Sequence, residues 1–174
     1  MRPAAFALPF LLATLPAAAA VSAPSVPPRL QASAAEVAAF ALRGEGVHVY
    51  ECKPGFDGRL TWVFTNPEVN FSDGTSTVAT QNQVNFWEST SDRSSVSTVV
   101  RASANAGSGN LPWTLWAAQS DATGGRFSGV TSVQRVNTVG GVAPTTGCTD
   151  TTAGTEIRVP FRADFYFYKP RGAA

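Results

Sequence analysis

The stretch VPFRADFYFY, residues 159–168, decides the fold of this chain. Every odd-numbered residue in it is apolar, whereas the even-numbered ones include Arg162, Asp164, Tyr166 and Tyr168. A period of two over this length is typical of an antiparallel strand with one buried face and one face in water. The stretch therefore predicts β structure near the C-terminal end of the chain.

Shorter segments of the same kind, separated by turns rich in glycine and proline, fill most of the chain before it. Together they predict an all-β fold, a single antiparallel β-sandwich or barrel of about nine short strands. The segments are Val47–Cys52, Leu60–Thr65, Ser76–Thr80, Gln83–Glu88, Val96–Ala102, Leu111–Gln119 and Val130–Val139.

The segment Ser33–Arg43 has two interpretations. The spacing of Ser33 and Glu36 resembles a capping box, and the many alanines favour one short N-terminal helix. The alternation of Val37 and Ala39 with Ala38 and Phe40 favours a strand instead. Both alternatives stay open at this point.

The first twenty residues predict a secretory signal peptide. Arg2 is followed by an apolar run, and alanines at 17–20 suit cleavage after Ala20. The run is too short and too rich in alanine for a membrane anchor, and no second apolar stretch could span a bilayer. We therefore expect a secreted or periplasmic protein with no transmembrane segment. Residues 21–29 form an extended lead-in, and residues 30–170 form a single all-β domain.

Charge excludes some partners. The chain has 13 basic and 12 acidic residues, and removal of Arg2 with the signal peptide leaves the two signs equal. A net charge near zero argues against nucleic acid or an anionic membrane as the main partner. The sequence does not define the oligomeric state.

The only two cysteines are Cys52 and Cys148. In an oxidising compartment such a pair favours one disulfide, and the alternative is two separately buried thiols. There is no C-x-x-C motif and no histidine cluster, so a redox or metal pair has little support. We predict no metal and no cofactor.

No set of residues indicates catalysis. His48 is the only histidine, and no serine lies in a G-x-S-x-G motif. Carboxylates such as Glu88 and Asp92 are candidates for glycoside cleavage, which needs two carboxyl groups about 5–9 Å apart. We therefore predict no catalytic residue, and the sequence favours a protein that is not an enzyme.

Aromatic residues and one arginine are the candidates for ligand binding. Trp113 and Trp116 lie three positions apart, so in a strand they point to opposite faces, and an exposed one would suit stacking on a ligand. Arg135 shares a face with Val133 and Val139. If that face is inward, Arg135 needs either a structural ion pair or an anionic ligand, because an unpaired buried guanidinium is costly.

Several motifs resemble the domain of unknown function 3455 family. The most specific is QRVNTVGGVAP at residues 134–144, followed by Cys148, and further matches are GVHVYEC at 46–52 and the Trp87-Glu88 pair. The resemblance implies an exported bacterial or fungal protein with one domain, a pairing of Cys52 with Cys148, and no established activity. Gln81 and Val84-Asn85 stand where relatives often have a histidine and a Gly-Pro pair, so any role of that histidine is absent from this chain.

The leading hypothesis is an exported domain that binds a small molecule, a glycan or a component of the cell envelope. Its candidate ligand-binding residues are Glu88, Trp113 and Arg135. The alternatives are a secreted carbohydrate hydrolase that uses carboxylates, and a structural or stress protein of the envelope without a ligand.

Overall fold

A computed structural model describes residues 21–121 and 123–172, and the predicted signal peptide lies outside this part of the chain. A single 3-10 turn at Pro28–Leu30 precedes eight strands. The strands are β1 (Glu36–Pro54), β2 (Leu60–Ser72), β3 (Thr77–Gln83), β4 (Phe86–Ser89), β5 (Ser95–Ala104), β6 (Trp113–Ser120), β7 (Ser132–Gly140) and β8 (Glu156–Pro170).

The strands form one closed barrel in which each is hydrogen-bonded to its neighbours in sequence, and β8 returns to pair with β1. Every pairing is antiparallel. The all-β prediction is confirmed, with a barrel rather than a sandwich and with eight strands rather than about nine. Within the described residues, no helix is long and apolar enough to cross a membrane.

The segment Ser33–Arg43 does not form the alternative helix, because β1 begins at Glu36. The backbone N–H of Ser33 does donate to the Glu36 carboxylate, at 3.0 Å, as in a capping box. The other carboxylate oxygen of Glu36 accepts hydrogen bonds from the hydroxyl groups of Thr131 and Ser132. The capping contact therefore forms without a helix, and pairing of β1 with β8 decides the backbone conformation.

Aromatic rings fill the barrel at the end where β1 begins. Phe71 and Phe165 pack edge to face, with ring centroids 4.9 Å apart. Gly44 makes room for them, because a Cβ atom there would lie 2.7 Å from the Phe165 ring and 2.8 Å from the Phe71 ring. Trp87 and Trp116 continue this layer, which we call the floor of the barrel.

Residues before β1 pack on the outside of the barrel. Leu30 is fully buried against Ala104 and Leu115, with Trp113 packed beside them. The side-chain amide of Gln134 donates to the carbonyl of Leu30 at 2.5 Å. Two hydrophobic clusters therefore stabilise the wall of the barrel, one inside and one outside.

The opposite end of the barrel is held by a disulfide. Cys52 near the end of β1 is bonded to Cys148 in the loop between β7 and β8, which confirms the predicted bridge. The indole of Trp62 donates to the carbonyl of Thr146 at 3.0 Å. The hydroxyl of Tyr50 donates to the carbonyl of Gly141 at 2.6 Å. This loop is therefore fixed to β1 and β2 at the end of the barrel that the floor does not fill.

Candidate functional site

The barrel contains a cavity of about 250 Å³ at the end opposite the start of β1. Its polar lining includes His48, Gln81, Asn85, Ser103, Thr114 and Arg135. Its apolar lining includes Phe64, Val84, Trp87, Val100, Trp116 and Phe165. None of the described residues that line this cavity carries a carboxylate.

Strand register brings distant residues together in this cavity. Val100 on β5 lies opposite Trp116 on β6, and Thr114 on β6 lies opposite Arg135 on β7. The irregularity in β5 between Val100 and Ala102 allows both Val100 and Ser103 to face the cavity. Bulges that change the face on which side chains lie are common next to binding and active sites.

Arg135 is a buried cation, and its hydrogen-bond partners among the described residues are neutral. The residue is 9% exposed, and its Nη2 donates to the carbonyl of Pro112 at 2.9 Å and to the hydroxyl of Thr114 at 3.3 Å. The guanidinium carbon lies 5.2 Å from the centroid of the Trp116 ring, within the range of a cation–π interaction. Burial lowers the pKa of Arg135 to about 10, so the group is still positively charged at neutral pH.

The structural ion pair that was one alternative for Arg135 does not form. No aspartate or glutamate of residues 21–121 and 123–172 lies within salt-bridge distance of its guanidinium. The predicted shared face with Val139 is also wrong, because β7 has an irregularity between Val136 and Val139, where Asn137 takes a φ of 53°. Val139 is consequently turned outward, while Arg135 stays in the cavity.

Three nitrogens of residues that line the cavity are buried and have no hydrogen-bond partner among the described residues. They are Nδ1 of His48 and the indole Nε1 atoms of Trp87 and Trp116. A buried polar group left unsatisfied costs about 1–3 kcal/mol, so three of them in the lining of one cavity are unusual. Burial, and then the charge of Arg135, lowers the pKa of His48 to about 3, so its imidazole is neutral at physiological pH.

The structure does not bring the three predicted ligand-binding residues together. Arg135 lines the cavity, whereas Glu88 forms an ion pair of 2.7 Å with Arg93 on the surface. Trp113 packs in the outer cluster with Leu30. The roles of Glu88 and Trp113 in ligand binding stay predictions, and Trp116 is the tryptophan beside Arg135.

The carboxylate candidate Asp92 builds a turn. One of its oxygens accepts hydrogen bonds from the backbone and hydroxyl of Ser94, and the other accepts one from the backbone of Arg126. These hydrogen bonds hold the pKa of Asp92 well below its usual range. A general acid for glycoside cleavage needs a raised pKa, so this environment suits a structural role.

Sequence reasoning missed His48, Trp87 and Trp116 as residues of one site. The pairing register of β5, β6 and β7 places Trp116 beside Arg135, and no local pattern reports that register. Gln81 and Val84-Asn85, which the resemblance to the family distinguished in the sequence, also line the cavity. These positions are the part of the sequence that points toward this site.

Comparison with known proteins identifies the family. The family model described as "Protein of unknown function (DUF3455)" matches residues 80–169, slightly more than half of the 174 residues. The matched segment includes Trp87, Trp116 and Arg135, whereas His48 precedes it. No curated protein and no solved structure matches the chain. The chain therefore belongs to the DUF3455 family, whose members are proteins of unknown function.

Proposed function

We propose that this protein is an exported binding protein that holds a small anionic ligand in the barrel cavity, with Arg135 as the counter-ion. The observation that carries the proposal is a buried guanidinium that has no carboxylate from the described residues beside it. Burying an unpaired charge costs several kcal/mol, and a ligand anion in the cavity would offset that cost.

The hydrogen-bond donors around the cavity support an anion. The Nη1 atom of Arg135 has no partner among the described residues, so its two N–H groups are free to donate to a ligand. The indole Nε1 atoms of Trp87 and Trp116 also have no partner among the described residues, but both are inaccessible from the cavity, so Arg135 is the donor that supports an anion. Hydrogen bonds from a guanidinium to an anion are about twice as strong as neutral ones.

The size of the cavity limits the ligand. A volume of about 250 Å³ lies just below the range of about 300–1,000 Å³ that is usual for small-molecule pockets. Eight-stranded barrels have interiors that hold side chains or one small ligand. The cavity therefore suits a small acid, or the acidic end of a larger glycan or envelope component.

Export is part of the proposal. It rests on the signal-peptide pattern of residues 1–20 and on the Cys52–Cys148 disulfide, which suits an oxidising compartment outside the cytoplasm. We favour binding over the hydrolase alternative because the cavity lining offers no carboxylate from the described residues, while Glu88 and Asp92 have partners elsewhere.

The proposal is tested by isothermal titration of the folded protein with acetate, benzoate, glucuronate and phosphate, and with benzamide as the neutral counterpart of benzoate. We expect at least one anion to bind, and we expect benzoate to bind more tightly than benzamide. Arg135→Gln should weaken anion binding about tenfold or more, because it removes a charged donor. Arg101→Gln is the matched control, since Arg101 is an exposed arginine on β5.

Two results would contradict the proposal: no binding of any anion in this set, or equal binding of anions by the wild-type protein and Arg135→Gln. Circular dichroism and thermal melting check that each variant is folded. If Arg135→Gln does not fold, Arg135→Lys keeps the charge but loses the planar donor geometry, and it should bind anions less tightly than the wild type.

A further inference from the structure

Three apolar side chains that line the cavity are exposed at its mouth. Phe64 is 36% exposed, Val84 is 50% exposed and Val100 is 52% exposed. We call these residues the apolar rim. They come from β2, the β3–β4 turn and β5, so three separate segments contribute to it.

We infer that the ligand is an amphipathic anion, with its charged group at Arg135 and an apolar chain or ring that leaves the cavity across the apolar rim. This inference rests on the proposed function and adds the chemical class of the ligand to it. The simplest members of the class are aliphatic carboxylates whose chain is longer than the cavity is deep.

The gradient of exposure gives the orientation of the ligand. Arg135 is 9% exposed, whereas the rim residues are between 36% and 52% exposed. On the inner side of the cavity, its lining is formed by the rings of Trp87, Trp116 and Phe165, which belong to the floor. A ligand therefore enters with its anion first, and its apolar part ends at the rim.

Val100 shows that the rim belongs to the interior of the barrel. Val100 lies opposite Trp116 in the strand pairing. Trp116 is buried in the core, whereas about half of the surface of Val100 is exposed. Its neighbour Val99 points to the outer face and is 71% exposed. Single exposed valines such as Val99 are normal on a protein surface, but three apolar side chains around one mouth offer a surface that a ligand would cover.

The test is a titration series of acetate, butyrate, hexanoate, octanoate and decanoate, each below its micelle concentration, with the alcohols of the same length as neutral probes. For the wild-type protein we expect the affinity to rise up to about fourfold for each methylene, the factor for complete burial of one CH₂ group. The rise should stop when the chain extends beyond the rim.

The double variant Val84→Ser with Val100→Thr should flatten this dependence on chain length. Val99→Thr is the matched control and should keep the wild-type dependence. Both sites are exposed, so the variants should fold, and thermal melting verifies this. If the double variant does not fold, Val84→Ser alone should reduce the dependence.

The outcomes separate this inference from the proposed function. Binding that requires Arg135 but does not change with chain length overturns the amphipathic ligand and leaves the anion site intact. The amphipathic ligand is also overturned, and the anion site left intact, if the affinity of the wild type and that of the folded double variant depend equally on chain length. If alcohols and acids bind equally well, with the same dependence on length, the apolar rim is supported and the anion site is refuted. If none of the probes binds, both are refuted.

Discussion

Reduction of the Cys52–Cys148 disulfide should destabilise the protein by up to about 4.7 kcal/mol. The two cysteines are 96 positions apart, and a cross-link that closes a loop of about 100 residues removes this much chain entropy from the unfolded state. The value is an upper figure, because denatured chains keep some compactness and therefore lose less freedom on cross-linking.

The assay is urea denaturation of the wild-type protein with and without a reductant, together with the double variant Cys52→Ala/Cys148→Ala. We expect a lower midpoint after reduction and a larger dependence of the unfolding free energy on urea, since the open chain exposes more surface. The alanine variant should be less stable than the reduced wild type, because Cys52 is fully buried and its sulfur atom also packs. A difference below about 1 kcal/mol between the oxidised and reduced wild type would refute the chain-entropy argument.

Three further predictions concern the barrel wall, the floor and the turns. Gly44→Ala should cost about 1–3 kcal/mol in urea denaturation, because its Cβ would lie 2.7 Å from the Phe165 ring, and an unchanged midpoint would contradict the packing of the floor. Leu30→Ala should cost about 2–5 kcal/mol yet leave anion binding intact, since Leu30 is fully buried on the outside of the barrel, away from the cavity. Hydrogen bonds lower the pKa of Asp73 to about 2 and that of Asp92 further. Both carboxylates therefore stabilise the folded state when the pH is above their unfolded pKa near 4, and this stabilisation is lost as the pH falls toward 2. Asp73→Asn and Asp92→Asn should therefore reduce the fall in melting temperature between pH 4 and pH 2, and a fall equal to that of the wild type would count against these hydrogen bonds.

The strands were predictable where one face of the chain is buried. In β8 the inward residues Phe161, Ala163, Phe165 and Phe167 are buried, as their alternation indicates. The choice between sandwich and barrel was not predictable, because it depends on β1 pairing with β8 across most of the sequence. The helix alternative at Ser33–Arg43 arose because a capping contact is local and forms with either backbone conformation.

The candidate site was predictable only in part. Arg135 was noticeable because a charge on an otherwise apolar strand needs an explanation, and it does line the cavity. The sequence could not tell which of Trp113 and Trp116 lies beside Arg135, since the face of β6 that turns inward depends on its pairing with β5 and β7. The bulge after Val136 changes the face of the following residues, and its only local signal is Asn137, a residue type that tolerates the positive φ found there.

Closure of the barrel by its first and last strands has a consequence for how the chain folds as it is made. The two strands pair from Glu36 with Pro170 to Glu51 with Glu156, so the barrel closes only after the last strand has emerged. Until then β1 and β7 each have an unpaired edge, and such edges attract strands from other molecules. Contacts between residues so far apart in sequence also form slowly. A chain whose synthesis stops before residue 156 would therefore form an open sheet with unpaired edges, which chaperones and proteases recognise, rather than a partly functional protein.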